Sequence, residues 1–418
     1  MDENTRLEGM LSPYRALDLT DEKGFLCAKA LADLGCDVIK VEKPGGDASR
    51  RIGPFYRDIP HAEKSLTWMA FNANKRGITL DMETADGREI FKNLVKKADF
   101  VIESYAPGEM DKLGLGYAVL GRVNEKIILT SITPFGDSGP YKTYKAYDIV
   151  AMAMGGLLNL CGDPDRPPVT PSIFTSYLLA GVEAAVGTLM ALRWRWLSGR
   201  GTRVVVSLQD EVLAASWDTV SYWGGSQTIS KRSGPFSVRP NVKHRVTWPC
   251  KDGYVTFFYF GGQTGAEGNR SLVEWMESEG IDCQFPKSQD WSSFDWDRLT
   301  QDEVDRLEQP LFPFFKRHST QELYEGAVKR NIILYPLATA RDIINNKQLQ
   351  ARDFWTGVIH PGLHAKLTYP GAFAKASATR CGIFRPAPLI GEHNREIYEQ
   401  ELGFTREELL TLGQAGVI

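Results

Sequence analysis

Short apolar runs alternate with amphipathic segments through the first half of the chain. The runs with the length of buried strands are 14–19, 37–42, 100–104 and 127–132. Between them, 24–35 and 87–98 space their apolar residues as amphipathic helices do, and the first of these segments ends at a glycine. Strands and helices that alternate at this spacing predict an open α/β sheet of parallel strands, with ligands at the carboxyl ends of the strands.

The pattern changes beyond residue 200. A strand candidate at 203–208 leads into a helix candidate at 209–223, which carries acidic residues near its start, where the helix dipole favours them. Residues 225–240 are rich in Ser, Gly, Arg and Pro, a composition typical of a linker or mobile loop. The aromatic run 253–260 and the helical segment 321–330 then predict a smaller second domain.

Two features of this second half resemble functional groups. The glycine-rich segment 259–269 follows the aromatic run, and we expect it to be a simple turn and not a loop that closes over an active site. His244 is a lone histidine in its segment, and lone histidines are more often structural than catalytic. Neither feature is therefore assigned to catalysis.

Composition limits the class of protein. A chain of 418 residues, 43% of them hydrophobic, is long enough to bury more than one core, so we expect two domains. The net charge of −3 argues against a surface for nucleic acid. The polar start of the chain is unlike a signal peptide. The longest apolar run, 177–192, contains Glu183 and is too short to cross a bilayer, so we expect a buried helix and no membrane contact.

Cysteine and glycine spacing exclude several kinds of site. The six cysteines are scattered and form no metal-ligand pattern: Cys27, Cys36, Cys161, Cys250, Cys283 and Cys381. We therefore expect neither a disulfide framework nor a metal site, and the reducing cytoplasm is the simplest location. The turn after the first strand has a single glycine, Gly24, and lacks the Gly-x-Gly-x-x-Gly pattern, so we do not expect a dinucleotide ligand.

Four segments carry a resemblance to a known family. Their sequences are LADLGCDVIKVEKPGGD at 31–47, NANKRGITLDM at 72–82, ESYAPGEMDKLGLGY at 103–117 and TPFGDSGPYKTYKAYD at 133–148. Together they resemble the family III CoA-transferases, the group that includes formyl-CoA and carnitine CoA-transferases and α-methylacyl-CoA racemase. Weaker similarity at 369–377 and 385–397 extends the resemblance toward the C-terminus.

The resemblance implies an architecture and a set of substrates. It implies a large Rossmann-like domain built from both chain ends, 1–224 and 331–418, with a smaller α+β domain at 225–330. It also implies two subunits threaded through one another as an interlocked dimer. Coenzyme A and acyl-CoA are the implied substrates, together with a small organic acid, and no permanently bound cofactor is implied.

Tyr177 stands where this family keeps its nucleophile. In the family, an aspartate in the pattern Asp-x-x-x-Gly opens the long helix before a Gly-Arg-Gly turn, attacks the acyl-CoA thioester and later carries CoA as an aspartyl thioester. The matching stretch here, FTSYLLAGVEAAVGTLMALRWRWLSGRG, places Tyr177 four residues before Gly181. Because a phenol has a usual pKa of about 10 and forms no thioester with CoA, Tyr177 is not the nucleophile.

Other roles and other carboxylates remain open. Tyr177 is either a packing residue whose hydroxyl bonds to a neighbour or part of an acyl or pantetheine channel. Glu183 ranks first among the alternative carboxylates, although six residues is not a same-face spacing on a helix. The aspartates within 163–165 lie in a turn-rich loop, and Asp148 and Asp210 match positions that are acidic or polar in the family for structural reasons.

The resemblance also implies contacts with CoA, whose phosphates require Lys, Arg and backbone N–H groups. The residues that match the family's CoA contacts are Lys23, Gly24, Lys43, Lys75, Arg76, Ser104, Tyr105, Lys112, Phe135 and Gly136. Two departures affect this set. Lys112 replaces the usual arginine and loses its bidentate geometry, and the turn around Gly24 is one residue shorter than in the family.

Three functions are compatible with these residues. The chain is a subunit without a nucleophile, paired in a heterodimer or heterotetramer with a homologous catalytic chain, as in transferases of the benzylsuccinate type that act in anaerobic aromatic degradation with donors such as succinyl-CoA. Alternatively, it is a self-sufficient homodimeric CoA-transferase with an atypical nucleophile. The third possibility is an acyl-CoA isomerase or lyase of the same fold, which requires an Asp/His pair that the Tyr177 segment does not offer. The first is favoured because the CoA-side motifs persist where the aspartate is absent.

Overall fold

The computed structural model describes residues 9–418, apart from the side chain of Thr264. The chain forms two compact units. The first contains 9–158, 170–228 and 348–418, and the second contains 159–169 and 229–347. Residues 331–347, which the sequence-based division assigned to the large domain, belong to the second unit. The prediction about the polar start of the chain concerns 1–10 and lies almost wholly outside the described residues.

A six-stranded parallel sheet forms the centre of the first unit. Its strands are β1 (Arg15–Leu19), β2 (Asp37–Glu42), β3 (Arg76–Thr79), β4 (Phe100–Glu103), β5 (Ile128–Thr133) and β6 (Arg203–Ser207). They pair in the order β3-β2-β1-β4-β5-β6. Apart from β6, these strands are almost fully buried, because hydrophobic clusters cover both faces of the sheet. The predicted α/β fold with a parallel sheet is confirmed.

Helices connect the strands of the first unit and build most of the second. In chain order they are α1 (Phe25–Asp33), α2 (Leu66–Asn72), α3 (Ala85–Val95), α4 (Glu109–Lys112), α5 (Tyr117–Val123), α6 (Asp148–Met154), α7 (Leu157–Leu160), α8 (Thr175–Ser198), α9 (Leu208–Ala214), α10 (Trp217–Ser226), α11 (Gly262–Ser278), α12 (Gln284–Lys287), α13 (Gln301–Glu308), α14 (Leu311–Arg317), α15 (Thr320–Arg330), α16 (Ala340–Ile344), α17 (Lys347–Ala351) and α18 (Arg406–Gln414). A π-helical segment, Arg395–Glu401, precedes the last of them.

The helix α8 packs along α1 on one face of the sheet. Gly181 permits this approach, because a Cβ added there would lie 2.8 Å from the Cβ of Leu26 on α1. The helix is longer than the apolar run that was predicted to be too short to cross a membrane. By length and composition α8 is able to do so, but half of its most apolar window is buried within the fold, as in the core helix of a globular unit.

Short antiparallel sheets supplement the central sheet. In the second unit, β7 (Phe236–Val238) pairs with β8 (Lys243–Arg245), and β9 (Thr247–Pro249), β10 (Tyr254–Thr256) and β11 (Tyr335–Pro336) form a three-stranded sheet. In the first unit, β12 (Trp355–His360) and β13 (Ala365–Pro370) form a hairpin. These small sheets are local additions to their units.

The second unit is held together by a core rich in aromatic side chains. The helix α11 begins at Gly262, so the prediction of a simple turn over 259–269 was wrong. A Cβ at Gly265 would lie 2.2 Å from the carbonyl oxygen of Phe260, so glycine at this position allows the close approach of the helix. His244 is buried and stacks on Trp296 with ring centroids 4.0 Å apart, and burial lowers its pKa to about 4. This histidine is a packing residue.

Candidate functional site

The loops after β1 and β4 meet where the strand order reverses. In doubly wound sheets this is the crevice in which ligands bind. The backbone N–H of Asp21 donates to Oγ of Ser104 (2.9 Å), and the same hydroxyl donates to Oδ1 of Asp21 (2.8 Å). Ser104, which was predicted to contact CoA, is therefore buried and joins the two loops.

A cavity of about 780 Å³ lies beside the loop after β1. Its walls are mainly apolar and come from α1, α2, the start of α8 and the segments 52–54, 147–149 and 170–174. The apolar lining residues include Phe25, Leu26, Ile52, Phe71, Phe174 and Leu178. Tyr177 also lines it. Among the residues described, the charged side chains in its lining are Glu22 and Asp148. The cavity is thus an apolar chamber with two acidic groups.

Tyr177 and Asp148 join the first turns of α6 and α8. The backbone N–H of Asp148 donates to the phenol oxygen of Tyr177 (3.0 Å). In return, Oδ1 of Asp148 accepts hydrogen bonds from the backbone N–H (2.8 Å) and from Oγ (2.7 Å) of Ser176. Each helix thereby receives an acceptor for a backbone donor that its own first turn leaves free. The hydroxyl of Tyr177 is therefore bonded to a neighbour, and the residue also lines the cavity.

The phenol of Tyr177 is poorly suited to lose its proton. Burial raises its pKa and the negative charge of Glu22 raises it further, against the opposing effect of the hydrogen bond from the Asp148 backbone N–H; the charges of Asp148 and Asp21 add to the increase. The phenolate is therefore even less accessible than in water. The position that the resemblance assigns to a nucleophilic carboxylate holds a neutral group.

A smaller slot of about 150 Å³ lies at the ends of β2 and β4. Leu80, Met82 and Leu113 give it apolar walls, and Lys43 and Tyr105, two of the predicted CoA contacts, also line it. Glu83 and Glu109 lie at the slot as well. Each pairs with an exposed lysine: Lys43 Nζ lies 2.6 Å from Glu83 Oε1, and Lys112 pairs with Glu109. Lys43 and Tyr105 thus line the slot, and Lys112 pairs with Glu109, another of its lining residues.

Lys75 and Arg76 lie in the protein interior and line neither space, although Nζ of Lys75 lies 5.3 Å from the ring centroid of Phe25, which lines the cavity. Nζ of Lys75 is fully buried and contacts Oδ2 of Asp18 (2.8 Å) and Oδ1 of Asn72 (2.9 Å). Burial lowers the pKa of Lys75 to about 8, against the opposing effect of Asp18, so the ammonium form persists at neutral pH. Arg76 pairs with Asp37 (2.6 Å) and Glu396 (2.7 Å). These charges are already neutralised within the fold, which argues against the predicted contact with CoA.

The other predicted contacts have local structural roles. Lys23 pairs with Asp21, and Gly24 has no space for a side chain because a Cβ would lie 2.6 Å from Cγ2 of Thr20. Phe135 packs edge-on against Tyr141 and Tyr144. Gly136 has φ of 78°, a conformation that favours glycine. None of these four residues lines the cavity or the slot.

The carboxylates at the site are not the ones that the sequence ranked first. Glu183 is exposed on α8 and does not line the cavity, whereas Glu22, which was not considered, does. Glu103 was also missed: it is buried at the end of β4, its pKa is raised to about 7 by burial, and its Oε2 accepts from the backbone N–H of Tyr105 (2.8 Å). Its position at the end of an apolar strand was the one available signal. Across residues 9–418, no group of three or more His, Cys, Asp or Glu side chains is placed to hold a metal ion.

Comparison with known proteins gives consistent matches over nearly the whole chain. The model of CoA-transferase family III matches residues 12–394. The chain is 35% identical to the succinyl-CoA:(R)-benzylsuccinate CoA-transferase subunit BbsE of Thauera aromatica, over 97% of this chain and 98% of that protein. It is 30% identical to the succinyl-CoA–D-citramalate CoA-transferase of Chloroflexus aurantiacus, over 94% of each chain. The crystal structure of a CAIB/BAIF family protein from Brucella suis superposes with a TM-score of 0.79 at 25% identity, covering 94% of this chain and 99% of that one.

Proposed function

Because the chain belongs to CoA-transferase family III, whose members transfer CoA between an acyl-CoA and an organic acid, we propose that it is the subunit without a nucleophile in a heteromeric enzyme. A homologous chain supplies the aspartate. The observation that carries this proposal is Tyr177, a buried tyrosine whose hydroxyl accepts a hydrogen bond at the position of the family's nucleophile.

The chemistry explains why this one position matters. Transfer through the enzyme requires a carboxylate that forms an anhydride with the acyl group and then a thioester with CoA. Tyr177 offers a phenol with a raised pKa, and its oxygen is already engaged by the backbone N–H of Asp148. Gly181, the other fixed residue of the pattern, is retained because it permits α8 to pack on α1. The helix is kept and the reactive group is replaced.

We propose that CoA binds in the slot at the ends of β2 and β4. Its apolar walls suit the adenine ring, and Lys43 and Lys112 at its edge suit the phosphates. Lys75 and Arg76 are not part of this proposed site, because their charges are paired in the interior. A chain that keeps a CoA slot but lacks the nucleophile fits a subunit that acts together with a catalytic one.

We propose that the partner subunit binds the outer face of α8. Val182, Val186, Met190 and Trp194 recur every fourth residue along the helix and are 45–68% exposed. A continuous apolar stripe of this kind on a helix that otherwise packs in the core is typical of a subunit interface. We assign it to a family III homologue in an interlocked dimer, with succinyl-CoA as donor and an aromatic organic acid as acceptor, in keeping with the name of the Thauera aromatica relative. The six free cysteines fit a reducing cytoplasm.

Reconstitution tests the proposal. The chain is purified alone and together with a family III homologue from the same genome, and CoA transfer from succinyl-CoA is assayed. The lone chain is expected to be inactive and the pair active, and replacing the partner's Asp-x-x-x-Gly aspartate by alanine is expected to abolish activity. Introducing Tyr177→Asp into the lone chain supports the proposal if transfer appears. Full activity of the unmodified lone chain contradicts it.

A second candidate is a self-sufficient transferase, which one observation favours. Glu22 is a carboxylate that lines the same cavity as Tyr177. If it forms the anhydride in place of the aspartate, the lone chain is active and Glu22→Gln abolishes that activity. The same assay of the lone chain therefore separates the two candidates.

A further inference from the structure

A further cavity of about 430 Å³, here called the hairpin cavity, is formed by β12, the residue Asp353 before it and the segment 372–384. The polar and charged residues that line it are Asp353, Thr356, Lys375, Thr379, Arg380 and Cys381. None of them lines the cavity beside Tyr177 or the slot. The proposed transfer of CoA therefore gives these side chains no role.

The hairpin cavity lies at the other end of α1 from the cavity beside Tyr177. Phe25, at the start of α1, lines the cavity beside Tyr177. At the end of α1, the carbonyl of Asp33 accepts from the N–H of Gly382 (3.0 Å), which lines the hairpin cavity. The helix has 9 residues, so its ends are roughly 12 Å apart. The side chain of Asn74 holds this wall in place, because its Nδ2 donates to the carbonyl of Gly382 (2.7 Å).

The two cationic side chains of the hairpin cavity have no carboxylate partner. Among the ion pairs of residues 9–418, none includes Lys375 or Arg380. The guanidinium of Arg380 lies over the ring of Phe384, 4.4 Å from its centroid. This stacking holds the group by its face and leaves the N–H donors at its edge for a ligand. Nζ of Lys375 donates to the carbonyl of Arg352, which positions the ammonium group without neutralising its charge.

A buried hydroxyl of the same cavity also lacks a partner. Oγ1 of Thr379 is buried, and no group within residues 9–418 forms a hydrogen bond with it. Because a buried hydroxyl without a partner costs free energy, folded proteins normally supply one from the protein, from water or from a ligand. A guanidinium, an ammonium group and a hydroxyl together are donors that suit an oxyanion.

Asp353 restricts which oxyanion fits. It is the one carboxylate in the described lining, and no ion pair of residues 9–418 includes it. A carboxylate repels an oxyanion that has no proton, but it accepts a hydrogen bond from one that has an O–H group. Near pH 7.5, the hydrogen phosphate dianion has such a group, whereas sulfate and the dianion of a phosphate monoester have none.

We propose that the hairpin cavity is a binding site for inorganic hydrogen phosphate. Arg380, Lys375 and Thr379 donate to the phosphate oxygens. The remaining O–H of the phosphate donates to the carboxylate of Asp353. The bound ion links the residues at the start of the hairpin to the segment 372–384 and stabilises the folded protein. This inference goes beyond the proposed function and does not depend on it, because the cavity holds no group that takes part in CoA transfer.

Three anions test the proposal: phosphate, sulfate and methyl phosphate. Isothermal titration of the full-length protein at pH 7.5 and constant ionic strength gives their affinities. Phosphate is expected to bind about tenfold more tightly than either of the others, because the charge of Asp353 opposes anions that have no proton to donate. Tighter binding of methyl phosphate would assign the site to a phosphate ester and overturn the proposal, and so would equal affinity for sulfate or no binding of phosphate at millimolar concentration.

Two variants and a control locate the binding. Asp353→Asn removes the charge and suits the backbone, because asparagine tolerates the φ of 50° at this position. It is expected to raise the affinity for sulfate severalfold and to abolish the preference for phosphate. Arg380→Gln is expected to weaken phosphate binding about tenfold. Arg200→Gln, at an exposed position outside the cavity, is expected to leave it unchanged. An unaltered affinity for phosphate in Arg380→Gln, or an unaltered preference in Asp353→Asn, overturns the proposal.

Discussion

The phenol oxygen of Tyr177 accepts a hydrogen bond from the backbone N–H of Asp148, 3.0 Å away. The same two segments are also joined in the opposite direction, since the carboxylate of Asp148 accepts from Ser176 at the start of α8. The residue at the position of the family's nucleophile is therefore part of a reciprocal link between two helix N-termini. This link gives Tyr177 a structural function that an aspartate, with its shorter side chain, does not provide in the same way.

Removing the hydroxyl should lower stability and leave chemistry intact. Tyr177→Phe leaves the N–H of Asp148 without its acceptor, so we expect the free energy of unfolding to fall by about 1–3 kcal/mol. Urea denaturation measures this change. Transfer by the reconstituted pair should stay within about twofold of the parent, because the phenol takes no part in the covalent steps. A loss of transfer by orders of magnitude with unchanged stability would identify the hydroxyl as a chemical participant.

Lys75 should matter for folding and not for ligand affinity. Lys75→Met leaves Asp18 without its closest cationic partner, although Lys40 remains 3.9 Å away, so we expect a loss of about 3 kcal/mol or more. The matched variant Lys112→Met changes an exposed lysine and should alter stability by less than about 0.5 kcal/mol. Denaturant titration gives both values. A stable Lys75→Met protein that binds CoA poorly would instead support the contact between Lys75 and CoA that the sequence predicted.

Glu103 should make the fold less stable as pH rises from 4.5 to 7. Burial raises its pKa from 4.5 to about 7, so the folded state keeps a proton that the unfolded chain loses, and stability present below pH 4.5 decreases through this window. Glu103→Gln removes that contribution. In the parent, this contribution makes the unfolding free energy smaller at pH 7.5 than at pH 4.5. In the variant, the value at pH 7.5 minus the value at pH 4.5 should be about 1–3 kcal/mol more positive than in the parent. An unchanged pH profile would show that Glu103 is ionised throughout, and Glu125→Gln, at an exposed position, should keep the parent's profile.

Lys43 and Lys112, the lysines at the slot, should contribute to binding the phosphates of CoA. Lys43→Ala and Lys112→Ala are each expected to weaken CoA binding about two- to fivefold, a modest effect because both side chains are exposed. The effect should shrink at high salt. Lys126→Ala, another exposed lysine, serves as the control. Titrating both CoA and 3′-dephospho-CoA shows which lysine faces the 3′-phosphate. Equal CoA affinities in all three variants would show that the slot is not part of the CoA site.

Much of the fold was predictable from local sequence, but the site was not. Apolar residues identified β1 and β2 within one residue, because both faces of these strands are buried, although both strands also contain charged residues such as Asp18 and Lys40. Lys75 looked like a phosphate ligand because its partner, Asp18, lies 57 residues away in sequence and only the sheet brings them together. Glu22 escaped notice because a glutamate in a turn is most often solvated, and its place on the cavity wall depends on how α1, α2 and α8 pack. The glycines of 259–269 suggested a turn, whereas tight packing against Phe260 explains one of them within a helix.

The account rests on the absence of a nucleophile at position 177, and one measurement tests this most directly. The reconstituted pair is mixed with an acyl-CoA, quenched in acid within the first turnover, and both chains are analysed by intact-mass and peptide mass spectrometry. The account predicts a covalent acyl or CoA adduct on the partner's Asp-x-x-x-Gly aspartate and no adduct on this chain. An adduct on this chain, at Glu22 or any other carboxylate, would contradict it.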